Sequence, residues 1–328
     1  MTQALFYQPS FERLRERIEQ AAPGLDIVLI NEQGQMTRAG KPVEAKDIQP
    51  EYFWIHSELF KSALFRDYLG MIGNFPSARW LHTINTGLDK GPYLELLRGG
   101  LTITNNHSQA IAIAEYVMAH VLTLFQDLPG YAARQREKAW VYRPFREIGN
   151  TRWLVIGFGH IGQEIARRAQ AFGAHITAAR RNQDDEGLAD AVCTLDDMQP
   201  ALHRADVVVL ACASNARTRD VVDAGFLTDM KEGAVLVNIA RGDLVVEDDL
   251  RAALDAGKPA HAILDVFRDE PLPVDSWFWE HPRVTLTPHC SNGGSGMRGR
   301  SDDLFIDNLH RISQGHALLH QVSEKDIV

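Results

Sequence analysis

The chain has 328 residues, which suits two compact domains, because single domains commonly hold about 150 residues. Its composition, with 45% hydrophobic and 23% charged residues, is typical of a globular protein that buries substantial cores. The formal net charge of -9 argues against a nucleic-acid partner, since binding to a phosphate backbone requires clustered Lys and Arg.

The N-terminal residues mix acids with bases and lack the apolar region of a signal peptide, and no later segment approaches about 20 uninterrupted apolar residues. We therefore predict a cytoplasmic protein that does not associate with a membrane. The three cysteines, Cys193, Cys212 and Cys290, show no CxxC spacing, and the 13 histidines include no HExxH. Neither a disulfide framework nor a bound metal is expected.

The first hundred residues alternate short apolar runs with helical patterns, which predicts parallel strands joined by crossover helices. A long helical pattern then extends from Ser108, the expected N-cap, to Phe125. The expected strands are ALFY (4–7), LDIVLI (25–30), YFWI (52–55) and WLHTI (80–84), and the first helical patterns cover residues 11–20 and 57–64.

Six further apolar runs follow a basic, aromatic loop around residues 140–146. Their near-continuous apolar character is typical of strands covered on both faces, and six such strands complete a doubly wound dinucleotide-binding sheet. The runs are WLVI (153–156), HITAA (175–179), DVVVLAC (206–212), AVLVNI (234–239), HAILDV (261–266) and RVTLT (283–287). An amphipathic helix is expected around Asp303–Ile312.

The motif GFGHIG directly follows the strand WLVI and opens a helix. Gly157 is expected to make the tight turn, Gly159 to let a pyrophosphate approach the backbone, and Gly162 to let the helix pack on the strand. The amides near His160 and Ile161 would face the anion at the helix N-terminus. The competing interpretation is a tight turn without a ligand.

The second strand of this unit ends in Arg180 and Arg181, where dinucleotide-binding domains that use NAD carry an acid. Two guanidinium groups at this position would attract a 2′-phosphate. We therefore predict NADP(H) as the preferred cofactor, with NAD(H) as the alternative. The simpler interpretation is a pair of solvated surface arginines.

Three polar motifs stand at the ends of later strands: NIARGD (238–243), LDVFRDEPLP (264–273) and LTPHC (286–290). Ligands of a doubly wound sheet bind at the carboxyl ends of its strands, so Arg241, Glu270 and His289 are expected near one crevice. The alternatives are a structural ion pair between Arg241 and Glu270 and an ordinary polar histidine.

The glycine loop and these three motifs, in this order, resemble the D-isomer-specific 2-hydroxyacid dehydrogenase family. TGLD (86–89) is similar to its substrate loop, AEYVMAHVL (114–122) to its interdomain helix, and SWFWEHP (276–282) to an aromatic loop of the glyoxylate/hydroxypyruvate reductase branch. The resemblance is good from about residue 81 to 309.

The resemblance implies an α/β protein of two doubly wound parallel-sheet domains. A Rossmann dinucleotide-binding domain, residues 106–289, would be inserted in a smaller flavodoxin-like substrate domain made of residues 1–105 and 290–328. It also implies a homodimer.

The family also implies roles that fit the residue chemistry. His289 would protonate a carbonyl oxygen, with Glu270 stabilising the imidazolium, and Arg241 would bind the carboxylate of a 2-oxo acid. Backbone amides at Thr86 and Gly87 would complete the carboxylate site.

Two further residues are expected at the cofactor: Ala240, in the NIARGD segment, and Asp265, which would orient the nicotinamide carboxamide. Trp54, His56 and Ser57 are expected to line the substrate cleft. The family's usual Pro and Thr after the fourth strand are replaced by Ala213 and Asn215, so contacts to the adenine side are less defined.

The sequence therefore predicts an NADPH-dependent reductase of small 2-oxo acids that forms D-2-hydroxy acids. A non-catalytic dinucleotide-sensing module on the same scaffold is the alternative, although it would need only the cofactor site. Oxidation of formate or phosphite fits less well, because the pair of Glu270 and His289 is what a carbonyl reduction requires.

Overall fold

A computed structural model describes residues 2–85, 88, 91–181 and 187–324. The chain divides into two compact units: unit 1 comprises Met1–Ser108 and Ser295–Val328, and unit 2 comprises Gln109–Gly294. Unit 2 is therefore inserted between the two segments of unit 1.

Within its described residues, unit 1 contains a seven-stranded sheet with the order β4-β3-β2-β1-β5-β6-β7. Its strands are β1 (Gln3–Tyr7), β2 (Asp26–Ile30), β3 (Met36–Arg38), β4 (Lys41–Val43), β5 (Tyr52–Ile55), β6 (Trp80–Thr83) and β7 (Thr102–Thr104). The strands β2-β1-β5-β6-β7 are parallel, which is the order of a flavodoxin-like sheet. The first four helices are α1 (Gln8–Ala21), α2 (Ser57–Phe60), α3 (Phe65–Ile72) and α4 (Gly91–Arg98).

The antiparallel hairpin of β3 and β4 extends this sheet beyond the predicted strands. Its two-residue turn has positive φ at Ala39 (48°) and Gly40 (76°), as in hairpin turns that match the strand twist. Sequence analysis missed the hairpin because each strand has only three residues and the segment lacks an apolar run.

In the part of unit 2 that is described, seven parallel strands have the order β10-β9-β8-β11-β12-β13-β14. They are β8 (Arg152–Ile156), β9 (His175–Ala179), β10 (Ala191–Cys193), β11 (Val207–Leu210), β12 (Val235–Asn238), β13 (His261–Leu264) and β14 (Val284–Leu286). The first six positions of this order reproduce a Rossmann sheet, and all six predicted strands are present. The short strand β10 was not predicted.

Helices of unit 2 flank this sheet, and the chain then returns to unit 1 in α11. They are α5 (Ala110–Phe125), α6 (Leu128–Arg136), α7 (His160–Ala171), α8 (Gln199–Leu202), α9 (Ala224–Asp229) and α10 (Glu247–Asp255), followed by α11 (Met297–Ser313). The predicted cap at Ser108 is wrong: α5 begins at Ala110, and the Ser108 amide donates to Asn106 Oδ1 at 2.8 Å.

Each sheet is covered by apolar side chains on both of its faces. In unit 2, α5 and α7 pack together over one face around Val117, Ile165 and Val209. In unit 1, α1 and α11 cover one face, where the rings of Trp54 and Phe305 stack at 3.9 Å. Among the described residues no single helix is long and apolar enough to cross a membrane, although the bent pair of α5 and α6 passes by length and composition alone.

Candidate active site

The glycine loop lies between β8 and α7, and its geometry explains each glycine. Gly157 has a φ of +94°, and a Cβ there would lie 2.5 Å from the Cys212 amide nitrogen. A Cβ on Gly162 would collide with the carbonyl oxygen of Gly157. A Cβ on Gly159, in contrast, meets nothing within 4 Å, so the space above the loop is open.

This open space adjoins the start of α7, whose first residues are His160 and Ile161. The first amides of a helix have no intrahelical acceptor and attract anions. The loop therefore fits a dinucleotide pyrophosphate: two glycines are required by close packing, and the third leaves room for the ligand.

Arg180 and Arg181 lie at the end of β9, beside this loop. The Gly157 amide donates to the carbonyl oxygen of Ala179 at 2.9 Å, which brings the end of β9 against the turn. Arg180 is half-buried, and its amide bonds to Cys193 in the neighbouring β10 at 3.0 Å, whereas Arg181 is exposed. Both arginines therefore lie at the carboxyl ends of the strands, where the glycine loop also lies.

The segment after β12 is shaped by Asn238, which is 1% exposed. Its Oδ1 accepts from the Ala240 amide at 3.1 Å, and its Nδ2 donates to the Arg241 carbonyl at 2.8 Å. The next residue, Gly242, packs so closely that a Cβ would collide with the Phe267 backbone. Sequence analysis missed these structural roles, although both residues belong to the motif that it identified.

His289 and Glu270 form a direct pair, with 2.7 Å between Nδ1 and Oε2. The other carboxylate oxygen, Oε1, accepts from the Phe267 amide at 3.0 Å, which fixes the glutamate. A carboxylate only accepts hydrogen bonds, so Nδ1 carries a proton and Nε2 is the ring nitrogen that does not face the carboxylate. The imidazole is 47% exposed and the carboxylate 35% exposed.

Asp265 holds the backbone that carries His289. It is 0% exposed, and its carboxylate accepts from Thr287 Oγ1 at 2.6 Å, the Cys290 amide at 2.8 Å and the Ser291 amide at 2.9 Å. Its carbonyl oxygen accepts from the His289 amide at 2.9 Å. His289 itself has a φ of +49°, in the left-handed region that costs a non-glycine residue about 1 kcal/mol.

The three predicted catalytic residues follow β12, β13 and β14, which are neighbours in the sheet. Glu270 pairs with His289, and Arg241 directs Nη1 to the carbonyl oxygen of Ala240 at 2.7 Å. The predicted substrate residues Thr86 and Gly87 lie outside the described residues.

The expectation that Trp54 and His56 line a cleft is wrong. Both side chains are buried inside unit 1, because β5 is a central strand covered on both faces. His56 Nε2 lies 3.2 Å from Asp302 Oδ1, and its Nδ1 lies 3.4 Å from Glu58 Oε2.

Arg13 completes this partly buried group, which we call the Arg13 cluster and define as Arg13, His56, Glu58 and Asp302. Its guanidinium Nη2 donates to Asp302 at 3.0 Å, and its Nε donates to Glu58 at 3.3 Å. Hydrogen bonds and the neighbouring cations hold the pKa of both carboxyl groups below their usual values, although burial opposes this shift. Sequence analysis gave no sign of the cluster, since Arg13 and Asp302 lie far apart in the chain.

A Rossmann sheet with a glycine loop, together with a flavodoxin-like sheet, places the chain in the class of dinucleotide-binding α/β proteins. Residues 118–291 match the family described as D-isomer specific 2-hydroxyacid dehydrogenase, NAD binding domain. The chain belongs to this family, and the sequence-based recognition is confirmed.

Relatives with curated names agree with this assignment. Glyoxylate/hydroxypyruvate reductase A of Citrobacter koseri is 33% identical over 183 residues, which cover 55% of this chain and 58% of the relative. The enzyme of the same name from Salmonella paratyphi B is 32% identical over 214 residues, or 65% of this chain and 67% of the relative. The match to the first relative thus spans little more than half of that protein's length.

Solved structures match over nearly the whole chain. A D-isomer specific 2-hydroxyacid dehydrogenase from Xanthobacter autotrophicus Py2, in complex with NADPH and MES, is 25% identical with a TM-score of 0.76, covering 100% of this chain and 99% of that chain. An NADPH-dependent glyoxylate/hydroxypyruvate reductase from Sinorhizobium meliloti, in complex with NADP and sulfate, has a TM-score of 0.76 at 22% identity, covers 100% of both chains and shows the fold alone. The predicted fold class is confirmed.

Proposed function

We propose that this protein is an NADP(H)-dependent reductase that converts a small 2-oxo acid of the glyoxylate or hydroxypyruvate type to the D-2-hydroxy acid. The observation that carries the proposal is the His289–Glu270 pair, at 2.7 Å, in the same sheet as the glycine loop. The pair follows β13 and β14 of the sheet that carries the glycine loop, which supports a proton donor beside a dinucleotide site, and carbonyl reduction requires both.

When bound, the dinucleotide supplies the hydride that the carbonyl carbon of the substrate gains. His289 donates the matching proton from Nε2 to the carbonyl oxygen, and Glu270 stabilises the imidazolium before transfer. Arg241, a permanent cation, binds the substrate carboxylate. The products are the 2-hydroxy acid and the oxidised dinucleotide.

The preference for NADP(H) rests on Arg180 and Arg181 at the end of β9. Two cations beside the glycine loop suit a 2′-phosphate, and the dehydrogenase from Xanthobacter autotrophicus Py2 was solved with NADPH. Replacing both arginines by Ala should raise the KM for NADPH about tenfold and leave that for NADH within about twofold. An unchanged ratio of the two KM values would contradict this assignment.

The substrate class rests on the names of the similar reductases and on the carboxylate-binding role of Arg241. The decisive experiment follows NADPH absorbance with a panel of 2-oxo acids that includes glyoxylate and hydroxypyruvate, and repeats it with NADH. Turnover of the short members is expected. NADPH binding without turnover of any member would favour the dinucleotide-sensing module.

We also propose that two copies form a homodimer through unit 2. Support comes from the segment before β8, where Trp140 is fully exposed and Tyr142 and Phe145 also extend into solvent. Aromatic side chains are enriched in the centres of protein interfaces. Light scattering should give twice the chain mass, and Trp140→Ser should shift the protein towards the monomer; a monomeric wild type would contradict the proposal.

A further inference from the structure

A chain of three side chains leads from α5 to the backbone of His289. The Tyr116 hydroxyl lies 2.6 Å from Thr287 Oγ1, and Thr287 Oγ1 lies 2.6 Å from Asp265 Oδ1. All three residues belong to unit 2: Tyr116 is on α5, Asp265 follows β13, and Thr287 follows β14.

The direction of these hydrogen bonds follows from the chemistry of the groups. An ionised carboxylate can only accept, so the Thr287 hydroxyl donates to Asp265. With its hydrogen used there, Thr287 Oγ1 must accept from Tyr116. Burial raises the pKa of Tyr116, which keeps this hydroxyl a donor across the physiological range. The chain therefore has one polarity, from Tyr116 through Thr287 to Asp265.

The carboxylate at the end of this chain shapes the His289 turn. It also accepts from the amides of Cys290 and Ser291, and the Asp265 carbonyl accepts from the amide of His289. These bonds hold the turn while His289 keeps its left-handed φ of +49° and its 2.7 Å contact with Glu270. An Asp265 side chain free to rotate would release the amides of Cys290 and Ser291, the two residues that follow His289.

We propose that Tyr116 and Thr287 are positioning residues for His289, acting through Asp265. The inference rests on the proposed function, because it assigns to His289 the transferred proton. Neither hydroxyl takes part in the reaction. They fix the rotamer of a buried carboxylate, and the carboxylate fixes the turn that points the imidazole at Glu270 and the substrate.

The proposal makes separate predictions for two conservative variants. Thr287→Val removes the hydroxyl that bonds to Asp265 and leaves the Tyr116 hydroxyl without its acceptor, so kcat should fall about tenfold with a KM for the oxo acid changed by less than about twofold. Tyr116→Phe keeps the bond from Thr287 to Asp265 and should lower kcat about threefold.

Three further variants separate positioning from a general loss of structure. Thr287→Ser keeps the hydroxyl and should restore most of kcat. Thr285→Val, two residues earlier on β14, is the matched control, since Thr285 bonds to His261 instead, at 2.9 Å, and it should retain wild-type kcat. The double variant Tyr116→Phe/Thr287→Val should be no slower than Thr287→Val, because the tyrosine acts only through the threonine.

Amide hydrogen exchange tests the same network without turnover. In Thr287→Val the amides of Cys290 and Ser291 should exchange at least about tenfold faster than in the wild type, whereas Thr285→Val leaves them unchanged. The pH dependence of kcat should also differ between Thr287→Val and the wild type, because the contact of His289 with Glu270 loosens in the variant.

The outcomes separate this proposal from the proposed function. Unchanged exchange and kcat in both Thr287→Val and Tyr116→Phe would overturn the positioning role, and so would additive losses in the double variant. If the wild type reduces no 2-oxo acid yet Thr287→Val still speeds exchange at Cys290 and Ser291, the network stands and the reductase function fails. If Thr287→Val does not fold, the kcat and the amide exchange of Tyr116→Phe test the positioning role instead.

Discussion

The two units differ in how far their interacting charged side chains are exposed. In unit 1 the Arg13 cluster has His56 and Asp302 buried and Arg13 and Glu58 about one quarter exposed, and its members bond to one another. In unit 2 Glu270 and His289 bond to each other but keep 35% and 47% of their side chains exposed. We propose that similar residue types serve stability in the Arg13 cluster, where they are more enclosed, and chemistry at Glu270 and His289, where a face of each side chain stays accessible to a ligand.

The largest test of this contrast is His289→Ala. If the exposed pair performs the chemistry, kcat should fall about 1000-fold while the Kd for NADPH stays within about twofold, since the glycine loop is untouched. Stopped-flow turnover and fluorescence titration measure the two quantities. His316→Ala, at an exposed histidine of unit 1, is the control and should leave both unchanged. A retained rate in His289→Ala would remove this histidine from the mechanism.

The second test concerns the buried group. Asp302→Asn should lower the free energy of unfolding by about 3 kcal/mol, because Arg13 and His56 lose the buried carboxylate that both contact and keep only Glu58. Asp303→Asn is a matched control, since the adjacent Asp303 is 69% exposed and pairs with Arg17 at the surface, and it should cost less than about 0.5 kcal/mol. Chemical denaturation of both variants measures their free energies of unfolding. Equal stabilities of the two variants would show that the Arg13 cluster does not hold unit 1 together.

A third test separates the two kinds of glycine in the loop. Gly159→Ala should fold with wild-type stability, because the added Cβ meets no protein atom and the φ of -79° suits any residue. It should nevertheless weaken NADPH binding about tenfold, since the methyl group occupies the space above the loop. Gly162→Ala should instead lower stability, because its Cβ meets the Gly157 carbonyl. Equal NADPH affinity in Gly159→Ala would place the pyrophosphate elsewhere.

The smallest expected effect is a pH dependence. The folded protein lowers the pKa of Asp302 and Glu58, so their contribution to stability is complete above about pH 5 and is lost as the pH falls through the folded values. The stability difference between wild type and Asp302→Asn should therefore narrow below about pH 4. Thermal unfolding from pH 7 to pH 3 measures it, and a constant difference would argue against an ionised Asp302.

Sequence analysis predicted unit 2 well because its information is local. The glycine loop and the strand-end motifs each lie within ten residues, and strands covered on both faces form unbroken apolar runs. In unit 1 the same logic located β1, β2, β5 and β6, but it was wrong for Trp54 and His56, which were expected in a cleft and are buried. Whether His56 faces solvent depends on how α1 and α11 pack. These helices are far apart in the sequence, so no local pattern of apolar residues predicts their packing.

Within the candidate site, the sequence pattern predicted which residues carry the chemistry, and it gave no indication of the side chains that support them. The pairing of Glu270 with His289 follows from motif and strand order. The use of Asp265 as an anchor for the His289 turn depends on a left-handed residue and three converging donors, which appear only in three dimensions. The requirement for glycine at Gly242 has the same origin, because it comes from the Phe267 backbone, which packs against Gly242 only in the folded chain.

The left-handed φ of His289 implies a trade-off between stability and activity. Glycine would adopt this conformation without strain, so His289→Gly should be about 1 kcal/mol more stable than His289→Ala in chemical denaturation. The backbone conformation alone therefore favours glycine at this turn, and the bond from the imidazole to Glu270 offsets part of the strain in the folded protein.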